Sequence, residues 1–482
     1  MKVTSVKLLL TKSIGMLAFC LVASLFTPGE NCSWAATQNG ANEPWKGTYV
    51  QMLERGEIRM GVPYDRTIYI NDKGVGRGIS IELASGLAGW LNKAQTQQLK
   101  GRPLSVKIIP LPRDQLLKNL GDGNVDVVLG DLALYPALPN TKDFIINEAK
   151  QTNMEVLVTG PASPIINSPN DLSGQTVYGA KNTNFHLTLS DLNKTIRAAG
   201  KKPVNLISPV GTLDGEDLLE MVNDGLIPFV IISDWKAQIW KSIYTKIVIH
   251  NDIATNDKGW IGWAVRSSNQ DLNNALLDFY KSDSFTKALE SFRHKDYQAH
   301  LKGLKDPTEK NAWQRFLSMR PLFEQYGTQY HLNPLVIAAL GFQETLLNQS
   351  AVSKVGAIGV MQLMPATGNS LKVGDIHQLG PNIHAGAAYM DQLMRKYFPG
   401  IQFDGDNRSL FAVASYNMGP NNVAKARELA TTLGFDPNEW FSNVEFMMAE
   451  QAGLEPMIYV RNAYKYLISY QLKLGLIKSI QP

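Results

Sequence analysis

The sequence predicts two successive folds, an α/β domain over residues 46–300 and a mainly α domain over residues 311–482. Three observations carry this reading. Up to about His300, short apolar runs alternate with amphipathic stretches, the pattern of strands and helices packed in layers. Leu301–Lys310 (LKGLKDPTEK) is dense in charge and interrupted by Gly303 and Pro307, which marks a linker at 301–310. Beyond it strand-like runs nearly vanish and helical stretches separated by loops take over. A length of 482 residues agrees, because one core rarely grows past about 250–300 residues.

In the first domain the apolar runs predict strands at Ile58–Val62, Val106–Ile109, Val125–Leu129, Met154–Thr159, Thr176–Tyr178, Phe229–Ile232 and Trp260–Val265. Helices are expected at Ser80–Leu91, Arg113–Leu120, Leu213–Asn223 and Gln270–Lys281.

The chain opens with the basic residues Lys2, Lys7 and Lys12, followed by the apolar run Ile14–Phe26 and a small-residue pattern at Ser33-Trp34-Ala35. This is the layout of a secretory signal peptide over residues 1–35, with export to the periplasm expected. The run falls short of the roughly 20 residues of a membrane span; an uncleaved anchor is the alternative. Residues 36–45 begin with the polar string ATQNGANEP, a tether. Both cysteines, Cys20 and Cys32, lie in the leader. They follow Phe19 and Asn31 rather than a small residue, so a lipid anchor is not expected. Cleavage after Ala35 leaves no cysteine for a disulfide or a thiolate metal site.

The apolar fraction of 44% and charged fraction of 19% exclude a disordered chain. A net charge of +4 without a dense Lys/Arg stripe argues against nucleic acid as partner.

The chemistry is concentrated after residue 330. In His331–Ser350 (HLNPLVIAALGFQETLLNQS), Asn333 is a good N-cap and Pro334 suits the first turn. Leu335–Phe342 is apolar on every side, so this helix should be buried, and Glu344 sits near its end. A carboxyl group held against such a helix loses hydration, which raises its pKa. An acid still protonated near neutrality is what a glycosidic leaving oxygen requires. Then comes Ser353-Lys354-Val355-Gly356-Ala357-Ile358-Gly359-Val360-Met361-Gln362-Leu363-Met364-Pro365-Ala366-Thr367. Here Gly356 and Gly359 permit tight turns, and Gln362 brings an amide that can donate and accept. Farther on, Tyr416 and Asn417 precede a Gly-Pro break.

In this order, Glu344, Ser353, Gly356 through Thr367, Asn382-Ile383 with Gly386, Tyr416-Asn417 with Gly419, and Tyr459-Val460 resemble the catalytic domain of soluble-lytic-transglycosylase type. The resemblance covers about Trp313 to Leu474 and implies a lysozyme-like fold. Thr345 and Ser415 stand where that family usually has Ser and Ala. It further implies Glu344 as the catalytic acid/base, with Ser353, Gln362, Met364, Tyr416, Asn417 and Tyr459 binding peptidoglycan glycan strands. Ordinary glycosidases use two carboxylates, and the matched motifs hold no second one. Asp375 reads as loop and Asp391 as a solvated helix face. The reaction implied is a lyase step closing a 1,6-anhydro ring on N-acetylmuramic acid, without metal or cofactor. A goose-type muramidase is the hydrolytic alternative, and a solute receptor with an inactive lysozyme-like appendage is the alternative of another class.

Leu53–Tyr297 resembles the family-3 periplasmic solute-binding domains, two α/β lobes around a ligand cleft. The cues include Leu53-Glu54-Arg55-Gly56-Glu57-Ile58, Gly123-Asn124-Val125-Asp126 and Asp171-Leu172-Ser173-Gly174. The expected fold is therefore an α/β two-lobed periplasmic-binding-protein-like domain followed by a mainly α lysozyme-like domain. Binders of free amino acids carry an Arg in the stretch corresponding to Asp131–Phe144, where this chain has only Lys142. The expected ligand is an amino acid or a cell-wall peptide; a peptide held mainly by backbone groups tolerates the missing Arg better, and a vestigial cleft is the alternative. The pairing of the two domains resembles membrane-bound lytic transglycosylases. It implies a regulatory first domain and peripheral association with the outer membrane.

Overall fold

The computed structural model describes residues 44–130, 144–146, 155–179, 185–207, 213–253, 262–293 and 303–477. The expected leader, the tether up to residue 43 and Lys142 lie outside the described residues.

The first domain contains α1 (Tyr49–Arg55), β1 (Glu57–Pro63), β2 (Ile70–Asp72), β3 (Val75–Arg77), α2 (Ile79–Ala94), α3 (Thr96–Leu99), β4 (Ser105–Leu111), α4 (Leu116–Asp122), β5 (Val127–Gly130) and β6 (Phe144–Ile146). There follow β7 (Glu155–Thr159), β8 (Thr176–Gly179), α5 (Phe185–Ala198), β9 (Asn205–Ile207), α6 (Gly215–Asn223), β10 (Phe229–Ser233), α7 (Asp234–Lys241), β11 (Val248–His250), β12 (Gly262–Arg266), α8 (Gln270–Tyr280) and α9 (Asp283–Arg293). Two five-stranded sheets result, in the orders β4-β1-β5-β12-β6 and β11-β7-β10-β8-β9. The chain leaves the first sheet after β6 and returns at β12, so two lobes are joined by two crossings. Within each lobe the parallel strands are covered by their crossover helices and read as near-continuous apolar runs. All seven foreseen runs hold a strand among the described residues; Met154, Trp260 and Ile261, at the start of two of them, lie outside the described residues. The short β2–β3 hairpin and the edge strands β6, β9 and β11, each of three residues, carry too little pattern to be foreseen.

The Gly-x-x-Asp turn shows why its residues are there. Gly123 closes α4 at φ +89°, a left-handed conformation suited to glycine. Three residues on, the fully buried Asp126 accepts from the Arg59 backbone N–H at 2.9 Å and from its guanidinium at 2.7 and 3.0 Å. Arg55 and Arg266 also reach this carboxylate. Hydrogen bonds from Arg59 hold the Asp126 carboxyl below the usual carboxylate range against the opposing effect of burial.

The second domain is helical: α10 (Lys310–Tyr330), α11 (Pro334–Thr345), α12 (Pro365–Leu371), α13 (Leu379–Tyr397), α14 (Asn407–Met418), α15 (Pro420–Thr432), α16 (Glu445–Ala452) and α17 (Leu454–Lys473). Asn333 caps α11 by accepting from Leu335 N–H at 3.0 Å, with Pro334 in the first turn. Val336–Phe342 is buried throughout, packed against α10 and α17. A helix apolar on all sides can only sit inside other helices, and α11 is the axis of this domain.

The two domains share one apolar core. Tyr64 of the first lobe stacks on Phe446 and meets Phe435 edge-on, both at 5.4 Å. Lys73 N–H donates to Ala449 O at 3.2 Å, and Leu454 N–H to Asp72 at 3.2 Å. The connecting segment lies against both domains: Leu304 N–H donates to Asp224, and Lys305 N–H to the Tyr466 hydroxyl.

Asp126→Ala strands Arg59 in the first lobe without its carboxylate. Breaking such a buried pair should cost about 3–5 kcal/mol, read as a fall in the urea midpoint at neutral pH. Because the Asp126 pKa is depressed in the fold, its stabilisation is present above the unfolded carboxylate pKa. It is lost as pH falls through the folded value, so the difference between wild type and Asp126→Ala should shrink in acid.

Candidate active site

The site is built where α11 stops. Leu346 and Leu347 both adopt the left-handed conformation, at φ 56° and 60°. Their N–H groups return to Phe342 O at 2.9 Å and Gly341 O at 3.3 Å, which ends the helix sharply. Two non-glycine residues in this conformation cost about 1–2 kcal/mol each, offset here by the complete burial of Leu347. Glu344, two residues before the reversal, is thereby set at the helix edge, half-buried. Burial raises its pKa above the ordinary carboxylate range, and a hydrogen bond from the Tyr459 hydroxyl partly opposes the rise. Tyr459 comes from α17, and burial beside Glu344 pushes its own phenol well above the ordinary value.

The glycine-rich segment forms a compact platform over this end. Thr345 fastens it: its hydroxyl lies 3.3 Å from Gly341 O and 3.2 Å from Val360 O, and accepts from Asn348 N–H at 3.1 Å. A Cβ on Gly341 would come within 2.7 Å of Val360, so that glycine permits the platform's approach to α11. Asn382 of α13 is fully buried and braces the platform from below. It accepts from Met361 N–H at 2.9 Å and donates to Ile358 O and Ile376 O, each at 2.9 Å. Gly359 lies at φ +77°, and a Cβ there would sit 2.4 Å from the Asn382 amide nitrogen.

The other candidates fall into two groups. Tyr459 and Tyr416 are brought to Glu344: the Glu344 charge raises the pKa of both phenols, after the larger effect of burial. Tyr416 donates to Met361 O at 2.6 Å, tying α14 to the platform. Ser353 and Gln362 belong to the platform itself. The Ser353 hydroxyl accepts from Ala357 N–H at 2.9 Å, and the Gln362 amide donates to Gly359 O at 2.9 Å. The remaining surface of these two groups, the Ser353 O–H and the Gln362 carbonyl, is what a sugar can meet. Met364 and Asn417 are exposed at the start of α12 and the end of α14.

The two remaining acids are not offered to this site. Asp375 lies in an exposed loop, beside His377 at 2.8 Å. Asp391, read from sequence as a solvated helix face, is buried. Arg395 at 2.7 Å and Arg408 at 2.9 Å cover its carboxylate. The correction has a simple cause: Arg408 arrives from α14, which no periodicity of α13 reveals. Sequence reasoning also passed over Gln349. Its amide donates to Ile376 O and His377 O and accepts from Val360 N–H, so it stitches three segments together. Nothing in the local pattern singles it out.

Buried α11, a carboxyl whose pKa desolvation raises, a glycine platform and two phenols place a proton donor beside hydroxyl and amide groups that a sugar can meet. Residues 321–438 match the family described as Transglycosylase SLT domain, so the helical part of the chain carries a transglycosylase SLT domain. Over most of its length the chain is similar to membrane-bound lytic murein transglycosylase F. With that of Haemophilus influenzae (strain PittGG) it is 26% identical over 443 residues, covering 87% of this chain and 86% of the relative. With that of Yersinia enterocolitica serotype O:8 the identity is 27% over 479 residues, covering 95% and 90%. Among solved structures, substrate-binding domain 2 of Lactococcus lactis GlnP in open conformation aligns with 50% of this chain and 97% of its own, at 16% identity and TM-score 0.38. An ancestral arginine-binding protein bound to arginine covers 49% and 98%, at 19% identity and TM-score 0.34.

Two outcomes are expected. Gly359→Ala forces a Cβ onto Asn382 in an unfavourable backbone conformation. It should lower stability by about 1–3 kcal/mol, measured by urea unfolding, with loss of activity at permissive temperature. Tyr459→Phe removes a bond that favours the Glu344 carboxylate, so the Glu344 pKa rises further. The alkaline limb of the kcat/KM profile, which reports loss of the acid form, should move to higher pH.

Proposed function

We propose that this chain is a peptidoglycan lytic transglycosylase that cleaves the β-1,4 bond between N-acetylmuramic acid and N-acetylglucosamine. The observation that carries the reading is the desolvated Glu344, raised in pKa and hydrogen-bonded to Tyr459 at the edge of a glycine platform. Similarity to the murein transglycosylases over most of the chain supports the substrate class.

Glu344, whose raised pKa favours its acid form, donates to the glycosidic oxygen as the bond breaks. The resulting carboxylate then takes the proton of the muramoyl C6 hydroxyl, and that oxygen closes onto C1. One carboxyl serves as acid and then base, and the sugar supplies its own nucleophile, so no second carboxylate is needed. Tyr459 steadies the carboxylate between the two steps. Ser353, Gln362, Met364, Tyr416 and Asn417 are the candidates for lining the sugar sites. The similarity to membrane-bound relatives supports residence in the bacterial envelope. Among the described residues no helix is long and apolar enough to cross a membrane. The two-lobed domain is the candidate for receiving a small ligand or peptide.

Glu344→Gln keeps the shape and removes the titrating proton, so it should abolish turnover of purified peptidoglycan while the melting temperature stays within a few degrees. Mass spectrometry of the wild-type digest should find ends one water lighter than reducing ends. Reducing ends in their place would assign hydrolysis, and near-normal turnover by Glu344→Gln would remove Glu344 from the mechanism.

A further inference from the structure

Between the domains lies a group of buried charges that the glycosidic chemistry does not use. The second lobe presents four carboxylates at the start of α6: Asp214 as N-cap, then Glu216, Asp217 and Glu220. Cations converge on them from two other bodies. Arg66, in the loop after β1 of the first lobe, pairs with Asp214 and, at 2.9 Å, with Asp217. Arg461 of α17 pairs with Asp214 at 2.9 Å and with Asp217, and on its other side with Glu445 at 2.7 Å. Lys465, one turn further along α17, reaches Asp217 at 3.0 Å and also pairs with Glu220. In the opposite sense Lys236 of α7 joins Glu216 at 2.9 Å to Asp65 of the first lobe at 3.1 Å, where Arg113 also sits at 3.2 Å. The Thr67 hydroxyl donates to Glu216, and Trp240 donates to Thr67 at 2.9 Å, adding two neutral links. Tyr244 faces the same cluster from the second lobe.

Arg66, Glu216, Asp217, Glu220, Glu445, Arg461 and Lys465 are each at most 4% exposed. A buried charge deprived of its partner is far costlier than the intact pair is favourable, so these groups separate together or not at all. The geometry makes that cooperative across three bodies. The α16–α17 junction is bonded to the first lobe through Asp72, Lys73 and Tyr64. The same α17, two turns on, is bonded to α6 of the second lobe. Spreading the lobes would tear one of them from this helix pair and also strip Arg66 from Asp214 and Asp217.

We propose that the catalytic domain acts as the built-in ligand of the two-lobed domain. Arg461 and Lys465, clamped on the acidic start of α6, hold the lobes shut on each other, and the cleft opens only when α17 leaves. The described charges at this junction are then already paired with one another rather than open to a diffusible ligand.

The test is the interlobe distance in the full chain with no ligand added. Cys20 and Cys32 are replaced by serine, and nitroxides are placed at Lys118→Cys on the first lobe and Lys194→Cys on the second, both sites exposed. Pulsed electron resonance should return one narrow distance, unchanged by millimolar amino acids. Arg461→Met with Lys465→Met should shift it to a longer, broader distribution. Arg66→Met, which leaves the catalytic domain untouched, should do the same. A bimodal distribution in the unsubstituted chain, or a narrow distance kept by both variants when folded, overturns the proposal. Should the variants fail to fold, the unsubstituted chain decides alone: a narrow, ligand-independent distance supports the clamp and a bimodal one refutes it.

Discussion

The complete burial of Val336–Phe342 in α11 is the constraint on which the helical half depends. A helix with no polar face has to be enclosed, and α10 and α17 pack directly against it. Because the enclosure is complete up to Phe342, the first ionisable group past it, Glu344, emerges at the boundary between core and solvent. Its raised pKa is therefore a consequence of packing, since desolvation outweighs the one hydrogen bond that favours the charged form. The sharp reversal at Leu346 and Leu347 completes the placement, with burial of Leu347 offsetting the backbone strain.

The platform beside Glu344 is held by backbone and amide groups. Asn382 and Gln349 between them satisfy five backbone groups of the segments around residues 358–361 and 376–377. Unpaired backbone groups in a buried loop would each cost about as much as a lost hydrogen bond. These two side chains therefore do for the loop what ladders do for a sheet. Gly341 and Gly359 matter for the space they leave, which lets the loop lie flat against α11 and α13.

The charges between the domains follow a different logic. Buried ion pairs contribute little net stability compared with apolar packing, but they are exacting about geometry. A cluster in which Arg461 and Lys465 meet Asp214, Asp217 and Glu220 permits one docking of the two domains and penalises others. Since α17 also carries Tyr459, the helix that touches the Glu344 carboxyl is the helix held by the first domain.

What sequence by itself determined is whatever rests on local pattern. The α/β then mainly α division, seven strands of the two sheets, the N-cap at Asn333, the buried α11 and the glycine turns all follow from periodicity and backbone preference, which neighbours in the chain encode. Glu344 and the set of residues around it were legible because a specific motif order accompanies them. Tertiary structure alone decided which distant groups meet. Asp391 became a buried anchor because Arg408 lies across from it, and Lys465 found Glu220 across 245 residues. Contacts of that kind have no period and no propensity. They exist because two surfaces, each folded for its own reasons, close around charges that neither can leave unpaired.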